Sequence, residues 1–187
     1  DRLRSRGLGD VYKRQILYYL KNGRTNIALY EAQKMLKEAQ EEDDKTGLSR
    51  CYNIMSQIYT VKRLDSMAFE WQLKEIELTE KYDLENYNIS QTYSQISSYY
   101  INTNQPEKAL EALKKADATA YSPTQKISVQ LEYVNYYSKF GDMQAAEKIL
   151  NECKTAFDQD KRLWSIKKRL YNICLLYTSP SPRDRSL

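Results

Sequence analysis

Residues 96–116, ISSYYINTNQPEKALEALKKA, decide the fold of this chain. They place Tyr100 late in one apolar-periodic segment and Ala109 early in a second, with a short polar stretch between them. Pro106 favours a helix start, because the first helical position needs no backbone N–H for the helix. Asn104 or Gln105 is then the cap residue. The stretch therefore predicts two helices joined by a tight turn.

The same arrangement occurs four times along the chain. In each case a tyrosine precedes an alanine by nine residues, and the four alanines are separated by 40, 41 and 37 residues. A period of this length is typical of stacked helix hairpins. The four pairs are Tyr19 with Ala28, Tyr59 with Ala68, Tyr100 with Ala109, and Tyr137 with Ala146. The sequence predicts an all-α fold, a right-handed α-solenoid of antiparallel helix pairs with about four repeats and a truncated fifth that begins at Asp160.

Each tyrosine and alanine pair has a predicted packing role. Alanine lets the backbones of paired helices approach, and the large ring fills the wedge between neighbouring hairpins. Ala32, Leu113 and Leu150 continue the apolar stripe four residues after the alanine, whereas Gln72 interrupts it in the second repeat. The second repeat is therefore predicted to be irregular.

Helix boundaries follow from the capping residues and the helix breakers. Residues 122–125, Ser-Pro-Thr-Gln, match a capping box with proline at the first helical position. Asp65 is predicted to cap the second helix of the second repeat. Gly23, Gly47 and Gly141 are interpreted as isolated turn residues.

The two ends of the chain are related to each other through their codons. Residues 5–15, SRGLGDVYKRQ, can be back-translated so that the reverse complement, read one base in, encodes residues 174–184, CLLYTSPSPRD. Read-through into a sequencing adapter leaves such a pair. We therefore expect residues 1–15 and 174–187 to be adapter-derived tails. Residues 16–173 are then a repeat domain from a longer, metagenomic protein.

Charge and composition disfavour several classes of function. The whole chain carries a net charge of +4, but residues 16–173 contain 22 basic and 22 acidic side chains, interleaved along the chain. This segment therefore lacks the clustered positive charge that nucleic acids or anionic membranes require, and we expect neither as a partner. No apolar run approaches the roughly 20 residues of a membrane span.

The chain also offers few residues for catalysis or for metal and cofactor binding. It contains no histidine, and Cys51 and Cys153 are too few and too far apart for a disulfide framework or a zinc site. The acidic run at residues 41–44 lacks the ligand spacing of a calcium loop. We expect no enzyme activity, metal or cofactor in this segment.

The repeated residues resemble the tetratricopeptide repeat (TPR) family. The family pattern is a late first-helix tyrosine, a Gly-Asp or Asn-type turn, an early second-helix alanine, an aromatic or apolar residue four later and an alanine seven later. It is met by Tyr100, Ala109, Leu113 and Ala116, then by Tyr137, Gly141, Ala146, Leu150 and Cys153, and in the first repeat by Tyr19, Gly23, Ala28 and Ala32. The departures are the long period, Glu75 where the family prefers alanine, and Ser56, Ser97 and Val134 at the small first-helix position.

The resemblance implies a concave groove lined by residues of the first helices. The implied groove residues are Asn53, Gln57, Thr60, Ser94, Ser98, Ile101, Leu131, Asn135 and Ser138. Such a surface is polar and uncharged, which suits hydrogen bonds to a peptide backbone. It lacks the Lys and Arg residues with which some family members clamp a terminal carboxylate.

The resulting functional hypothesis is a non-catalytic scaffold that binds a protein or peptide. By analogy, its parent is the sensor or regulatory arm of a bacterial signalling protein. The alternatives are the helical part of an enzyme whose catalytic residues lie outside this segment, and a structural assembly adaptor. Uncapped repeat ends also predict self-association.

Overall fold

Helices account for nearly all of the regular structure in the described part of this chain. The computed structural model describes residues 2–160 and Leu163, with side chains from Val11 onward. The described part contains eight α-helices and no strand. They are α1 (Arg2–Lys21), α2 (Thr25–Glu41), α3 (Lys45–Val61), α4 (Asp65–Lys81), α5 (Ile89–Asn102), α6 (Pro106–Thr119), α7 (Pro123–Phe140) and α8 (Met143–Gln159). The all-α prediction is confirmed.

The helices pair into four hairpins that coincide with the four sequence repeats. The pairs α1–α2, α3–α4, α5–α6 and α7–α8 are each joined by a short turn. Helix α6 begins at Pro106, as predicted, and α2 begins at Thr25. The predicted fifth helix after Asp160 lies outside the described residues, apart from Leu163.

Backbone hydrogen bonds at the turns explain why each tyrosine lies nine residues before its alanine. In every hairpin the tyrosine carbonyl accepts a bond from the N–H five residues later, whose own carbonyl accepts from the alanine N–H four residues further on. In the third hairpin, the Gln105 nitrogen lies 2.9 Å from the Tyr100 oxygen, and the Ala109 nitrogen lies 3.0 Å from the Gln105 oxygen. The first bond closes one helix in a Schellman-type turn and the second opens the next helix.

One residue in each turn adopts the left-handed conformation that such a turn needs. It lies five residues before the repeated alanine, with φ of 71° at Gly23, 59° at Arg63, 60° at Asn104 and 97° at Gly141. Only two of the four are glycines, because the turn geometry also admits asparagine and, at a steric cost, other residues. A search for glycine alone therefore finds only half of these turns.

Replacing Gly141 with alanine is expected to lower the free energy of unfolding by about 1–2 kcal/mol. A Cβ added at Gly141 meets no atom within 4 Å, so the loss comes from backbone conformation and not from a clash. Urea denaturation measures it. Gly141→Asn is the matched control and should lose less, since Asn104 already occupies the equivalent position. Equal losses for the two substitutions would contradict the conformational explanation.

The capping predictions are partly correct. Ser122 and Gln125 form the predicted capping box, with the Gln125 nitrogen 3.2 Å from the Ser122 hydroxyl oxygen. Asp142 caps α8 by accepting a bond from the Ala145 nitrogen at 3.0 Å. The prediction that Asp65 caps α4 is wrong, because Leu64 is the cap residue and Asp65 is the first helical residue. There its carboxylate interacts favourably with the helix dipole but makes no cap bond.

Gly47 is not a turn residue as the sequence suggested. It is buried in the first turn of α3. A Cβ at this position would lie 2.5 Å from an Asp44 carboxylate oxygen and 3.4 Å from the Ala39 Cβ. Glycine therefore lets the end of α2 and the Asp44 side chain approach the beginning of α3 closely.

The chain divides into two compact units between Asn86 and Tyr87. In the first unit, α3 packs against α1, α2 and α4. The core of this unit combines one isoleucine of α1, alanines and a methionine of α2, and larger apolar side chains of α3. It contains Ile16, Ala28, Ala32, Met35, Ala39, Leu48, Cys51, Ile54, Met55 and Ile58.

The second unit repeats this packing with its own helices. Helix α7 packs against α5, α6 and α8. A core cluster between α7 and α8 contains Ile127, Leu131, Val134, Ala146, Leu150, Cys153 and Phe157, and Leu163 joins it after the end of α8. In both units the first helix of one hairpin therefore packs on both helices of the hairpin before it.

The repeated alanines and tyrosines differ in burial. All four alanines are buried, while Tyr19, Tyr59, Tyr100 and Tyr137 are half-buried. In three hairpins the repeated tyrosine makes an edge-to-face contact with the tyrosine just before it, with ring centroids 6.1, 6.3 and 5.3 Å apart. The buried alanines therefore let the paired helices approach, and the tyrosine rings keep part of their surface exposed.

Of the two proposed tail boundaries, only the one between residues 15 and 16 lies within the described residues. Helix α1 runs without interruption across residues 15 and 16, and Tyr12 packs against the core of the first unit. The origin of residues 1–15 in an adapter stays a prediction. Residues 174–187 lie outside the described residues, as does the chain end on which the self-association prediction rests.

Candidate functional site

Helix α4 differs from the other second helices in the face that it buries. The equivalent inward positions in the four hairpins are Ala28, Ala32, Met35 and Ala39; Ala68, Gln72, Glu75 and Thr79; Ala109, Leu113, Ala116 and Ala120; and Ala146, Leu150, Cys153 and Phe157. Three of these sets are entirely apolar, whereas the second contains three buried polar side chains. The predicted irregularity of the second repeat therefore corresponds to a polar stripe inside the first unit.

Glu75 is the centre of this stripe. Its side chain is only 1% exposed. The Asn53 side-chain nitrogen donates to both carboxylate oxygens, at 3.3 and 3.1 Å, and the Asn86 side-chain nitrogen donates to Oε1 at 2.9 Å. These amide donors come from α3 and from the segment after α4. A buried carboxylate needs such donors, because it has lost its hydration.

Four further contacts extend the stripe into a cluster. The Ser49 and Thr79 hydroxyls lie 3.3 Å apart, and the Asn86 nitrogen approaches them at 3.3 and 3.4 Å. The Gln57 side-chain nitrogen donates to the Asn53 oxygen at 2.7 Å. The polar cluster, as we name it, consists of Ser49, Asn53, Gln57, Glu75, Thr79 and Asn86. It links both helices of the second hairpin to the segment that leads out of the unit.

Sequence reasoning found part of this cluster. It singled out Glu75 as a departure from the repeat pattern and placed Asn53 and Gln57 on a binding face. It missed Ser49, Thr79 and Asn86. The polar residues at 72, 75 and 79 share the helical spacing of the apolar stripe, and this was the available signal for a buried polar face. No comparable signal marks Asn86, which lies in a loop.

In the first unit, the predicted face residues keep some exposure. Asn53 and Gln57 are half-buried and Thr60 is exposed. The Thr60 hydroxyl donates to the Ser56 carbonyl at 2.9 Å, within its own helix. Asn53 and Gln57 are therefore the members of this group whose side-chain positions are fixed by other side chains.

In the second unit, the predicted face residues separate into two groups. Ser98, Asn135 and Ser138 are half-buried, so they retain surface that a partner can contact. Leu131 is fully buried, and Ser94 and Ile101 are each 6% exposed. These three side chains contribute to the interior and offer almost no surface, because neighbouring helices cover them.

Asn135 resembles Asn53 in its partner. Its side-chain nitrogen donates to Glu132 Oε2 at 3.1 Å, and Glu132 is itself buried on α7. The two half-buried serines of the predicted face bond back to their own helices, with Ser98 donating to the Ser94 carbonyl at 3.1 Å and Ser138 donating to the Val134 carbonyl. The asparagine is thus the side chain whose amide orientation is set by a carboxylate.

A second surface feature of this unit is an open groove of about 440 Å³ beside α7. Tyr133 and Tyr137 line it, with Leu110 and Asp117 on α6 and Ile149 on α8. The two rings stack with centroids 6.2 Å apart. Burial, with smaller contributions from Asp117 and Tyr137, raises the pKa of the Tyr133 hydroxyl. The hydroxyl therefore stays protonated at neutral pH.

The two described cysteines are not suited to nucleophilic chemistry. Burial, helped by the negative charges of Asp44 and Glu38, raises the pKa of the Cys51 thiol to about 12. Cys153 is buried, with its sulfur 3.6 Å from the Gln130 side-chain oxygen. Reactive cysteines are exposed and have a lowered pKa, so Cys51 has the opposite properties.

The described residues form neither a metal site nor a membrane-spanning helix. Over that part of the chain, no three side chains of His, Cys, Asp or Glu come together in a way that fits a metal ion. None of the helices there combines the length and the apolar character needed to cross a bilayer.

Comparison with solved structures identifies the fold. The crystal structure of BtubC (BKLC) from P. vanneervenii matches with a TM-score of 0.72 and 14% identity, covering 97% of this chain and 85% of that chain. A Podosopora anserina kinesin light chain with nearly identical TPR-like repeats matches with a TM-score of 0.61 and 14% identity, covering 95% of this chain and 98% of that one. At this identity the likeness concerns the fold alone, and it confirms the TPR-like prediction.

Comparison of the sequence with family models identifies the family. The model described as 26S proteasome subunit RPN7 matches residues 60–179. No curated protein matches the sequence. The match begins at the end of α3 and includes the last two complete hairpins, so it covers more than half of the chain. The chain belongs to the 26S proteasome subunit RPN7 family and has the fold of a TPR-like helical repeat scaffold.

Proposed function

We propose that this chain is a non-catalytic scaffold that binds a protein or peptide through the faces of its first helices. The observation that carries the proposal is the pair formed by Asn53 and Gln57. Both side chains are half-buried, and a 2.7 Å hydrogen bond fixes one amide against the other. Polar groups that are held in place before binding lose little conformational entropy when a partner arrives.

The chemistry of the remaining surface residues supports a hydrogen-bonding partner. Thr60 is exposed in the first unit, and Ser98, Asn135 and Ser138 are half-buried in the second. These groups are uncharged, so they suit the N–H and C=O groups of a peptide main chain better than a terminal carboxylate, which favours Lys or Arg.

A structural assembly adaptor is a second candidate, and the family description favours it. The family is described as a subunit of the 26S proteasome, which is a multi-subunit assembly. An adaptor forms a stable complex with fixed stoichiometry, whereas a peptide-binding arm exchanges its partner. Native mass spectrometry of the parent protein, purified with its partners, distinguishes a constant subunit ratio from a variable one.

The position of this segment in its parent is a further part of the proposal. A sensor or regulatory arm of a bacterial signalling protein requires a kinase or DNA-binding segment in the same gene. Catalytic segments there would instead support the helical part of an enzyme. Sequencing the gene on both sides of residues 16–173 tests both alternatives.

Binding of a peptide selected from a random displayed library should weaken about tenfold when Gln57 and Thr60 are both changed to alanine. Two lost hydrogen bonds, each with a net contribution of about 0.5–1.5 kcal/mol, correspond to that change. Ser98→Ala with Asn135→Ala tests the second unit in the same way, and fluorescence anisotropy measures the affinity.

The matched control is Lys74→Ala with Glu77→Ala, two exposed positions on the second helix α4. It should leave the affinity unchanged. If both first-helix variants bind as tightly as the unchanged chain, the proposed face is not the binding face.

A further inference from the structure

We infer that Glu75 is a positioning residue that sets the hydrogen-bonding polarity of the exposed side of α3. The same carboxylate also accepts a hydrogen bond from Asn86. The inference rests on the proposed function, because it assigns a role to Gln57 in binding. It further names the chemistry of the partner, which is a group that donates an N–H, such as a main-chain amide of a peptide.

Glu75 fixes the orientation of the Asn53 side-chain amide. A carboxylate has acceptors only, whereas an asparagine amide has one donor end and one acceptor end. The Asn53 nitrogen faces both oxygens of Glu75, at 3.3 and 3.1 Å. The Asn53 oxygen must therefore point away from Glu75, and the reverse orientation would place two acceptors against each other.

The orientation of the Asn53 amide in turn fixes the orientation of the Gln57 amide. The Asn53 oxygen accepts a hydrogen bond from the Gln57 nitrogen at 2.7 Å. Since the nitrogen and oxygen of an amide lie on opposite sides, the Gln57 oxygen is directed away from Asn53. Gln57 is half-buried, so its side chain reaches the surface. Glu75 thereby makes Gln57 present an acceptor, and the matching partner group is a donor.

Selecting one orientation of Asn53 requires a charged residue at position 75. At the equivalent inward position the other second helices carry Met35, Ala116 and Cys153, none of which is a carboxylate that accepts from an amide N–H. The Cys153 thiol instead lies 3.6 Å from the Gln130 side-chain oxygen. A neutral glutamine at position 75 would offer one donor and one acceptor, so either orientation of Asn53 would be tolerated. Only a carboxylate selects one orientation from the two.

Glu75 also contacts the segment between α4 and α5. Asn86 donates to Glu75 Oε1 at 2.9 Å, and it also approaches Ser49 and Thr79. These three partners belong to α3 and α4. The carboxylate that orients Asn53 therefore also holds the last residue of the first unit against the second hairpin.

The test is Glu75→Gln in the full chain, with the side-chain amide signals of Asn53, Gln57 and Asn86 followed by NMR. All three signals should shift, and hydrogen exchange of their NH₂ groups should become about tenfold faster or more. Glu77→Gln, an exposed position on the same helix, is the matched control and should leave all three unchanged. Unchanged signals in Glu75→Gln would overturn the inference.

A second variant keeps the test decisive if Glu75→Gln does not fold. Asn53→Leu removes the link between Glu75 and Gln57 but leaves the contact between Glu75 and Asn86. The Gln57 signal should then move to its solvent-exposed value while the Asn86 signal stays in place. If the Gln57 signal does not move, no polarity is passed from Glu75 and the inference fails.

Peptide binding separates this inference from the proposed function. Glu75→Gln should weaken the selected peptide about twofold, because about half of the molecules then present the wrong end of the Gln57 amide. Gln57→Ala removes the group in every molecule, so adding Glu75→Gln to it should have no further effect. If Gln57→Ala leaves the affinity unchanged, the proposed binding face is wrong, even where the amide signals support the role of Glu75. If Gln57→Ala weakens binding and Glu75→Gln does not, the face stands and the positioning role is overturned.

Discussion

Replacement of Leu131 with alanine is expected to lower the free energy of unfolding by about 2–5 kcal/mol. Leu131 is fully buried on α7, in the cluster that includes Val134, Leu150 and Cys153. Truncation removes buried apolar surface and leaves a cavity that the tightly packed helices close only in part. Urea denaturation of the full chain, followed by circular dichroism, measures the loss.

Leu73→Ala is the matched control, because the same substitution is made on a side chain that is 41% exposed. Its effect should stay within about 0.5 kcal/mol. The comparison also bears on the groove, in which the repeat resemblance placed Leu131. If Leu131→Ala were as harmless as Leu73→Ala, Leu131 would belong to a surface and the described packing of α7 would be wrong.

Replacement of Glu75 with leucine is expected to cost about 2–4 kcal/mol, although leucine is apolar and similar in size. The amides of Asn53 and Asn86 lose their shared acceptor, and each unsatisfied buried donor costs about 1–3 kcal/mol. Both amides are half-buried, so water replaces part of each lost bond. Asn86 also keeps its contacts with the Ser49 and Thr79 hydroxyl oxygens. Urea denaturation measures this change as well.

A mutant cycle shows whether the loss comes from these contacts. With Asn53→Leu and Asn86→Leu added to Glu75→Leu, the two amides that donated to Glu75 are gone, and much of the lost stability should return. The Gln57 amide loses its Asn53 acceptor in this variant, but Gln57 is half-buried and water can replace that bond. The coupling energy between positions 53 and 75 should be about 0.5–3 kcal/mol. Strictly additive losses would show that Glu75 acts through something other than its amide partners.

Several features of the fold were predictable from the sequence because they depend on local interactions. The four Tyr and Ala pairs located all four hairpins, since the bonds that fix their nine-residue spacing join residues within one turn. The capping box at Ser122 and the start of α6 at Pro106 were predictable for the same reason.

Other local predictions failed where two positions compete for one role. Asp65 and Leu64 are both able to precede α4, and the left-handed residue at Arg63 places the cap at Leu64. Glycine is a common turn residue, but Gly47 lies inside α3, where the close approach of α2 leaves no room for a Cβ atom. That distance depends on packing and is not encoded in the adjacent residues.

The candidate site was only partly predictable, for a related reason. The family resemblance placed Asn53 and Gln57 on a groove face, and the structure leaves both half-buried. It placed Ser94 and Leu131 on the same kind of face, yet the structure buries them. Periodicity gives the direction of a side chain on its own helix, but its exposure depends on what the next helix covers.

By itself, the sequence determined the helix pairs, their turns and the alanine stripes, because backbone hydrogen bonds and side-chain periodicity act over fewer than about ten residues. The tertiary structure alone decided that Glu75, Asn53 and Asn86 meet. Asn53 lies 22 positions before Glu75 and Asn86 lies 11 positions after it. Their contacts with Glu75 exist only once α3, α4 and the following loop are packed together. A buried carboxylate is stabilised only where folding brings donors to it.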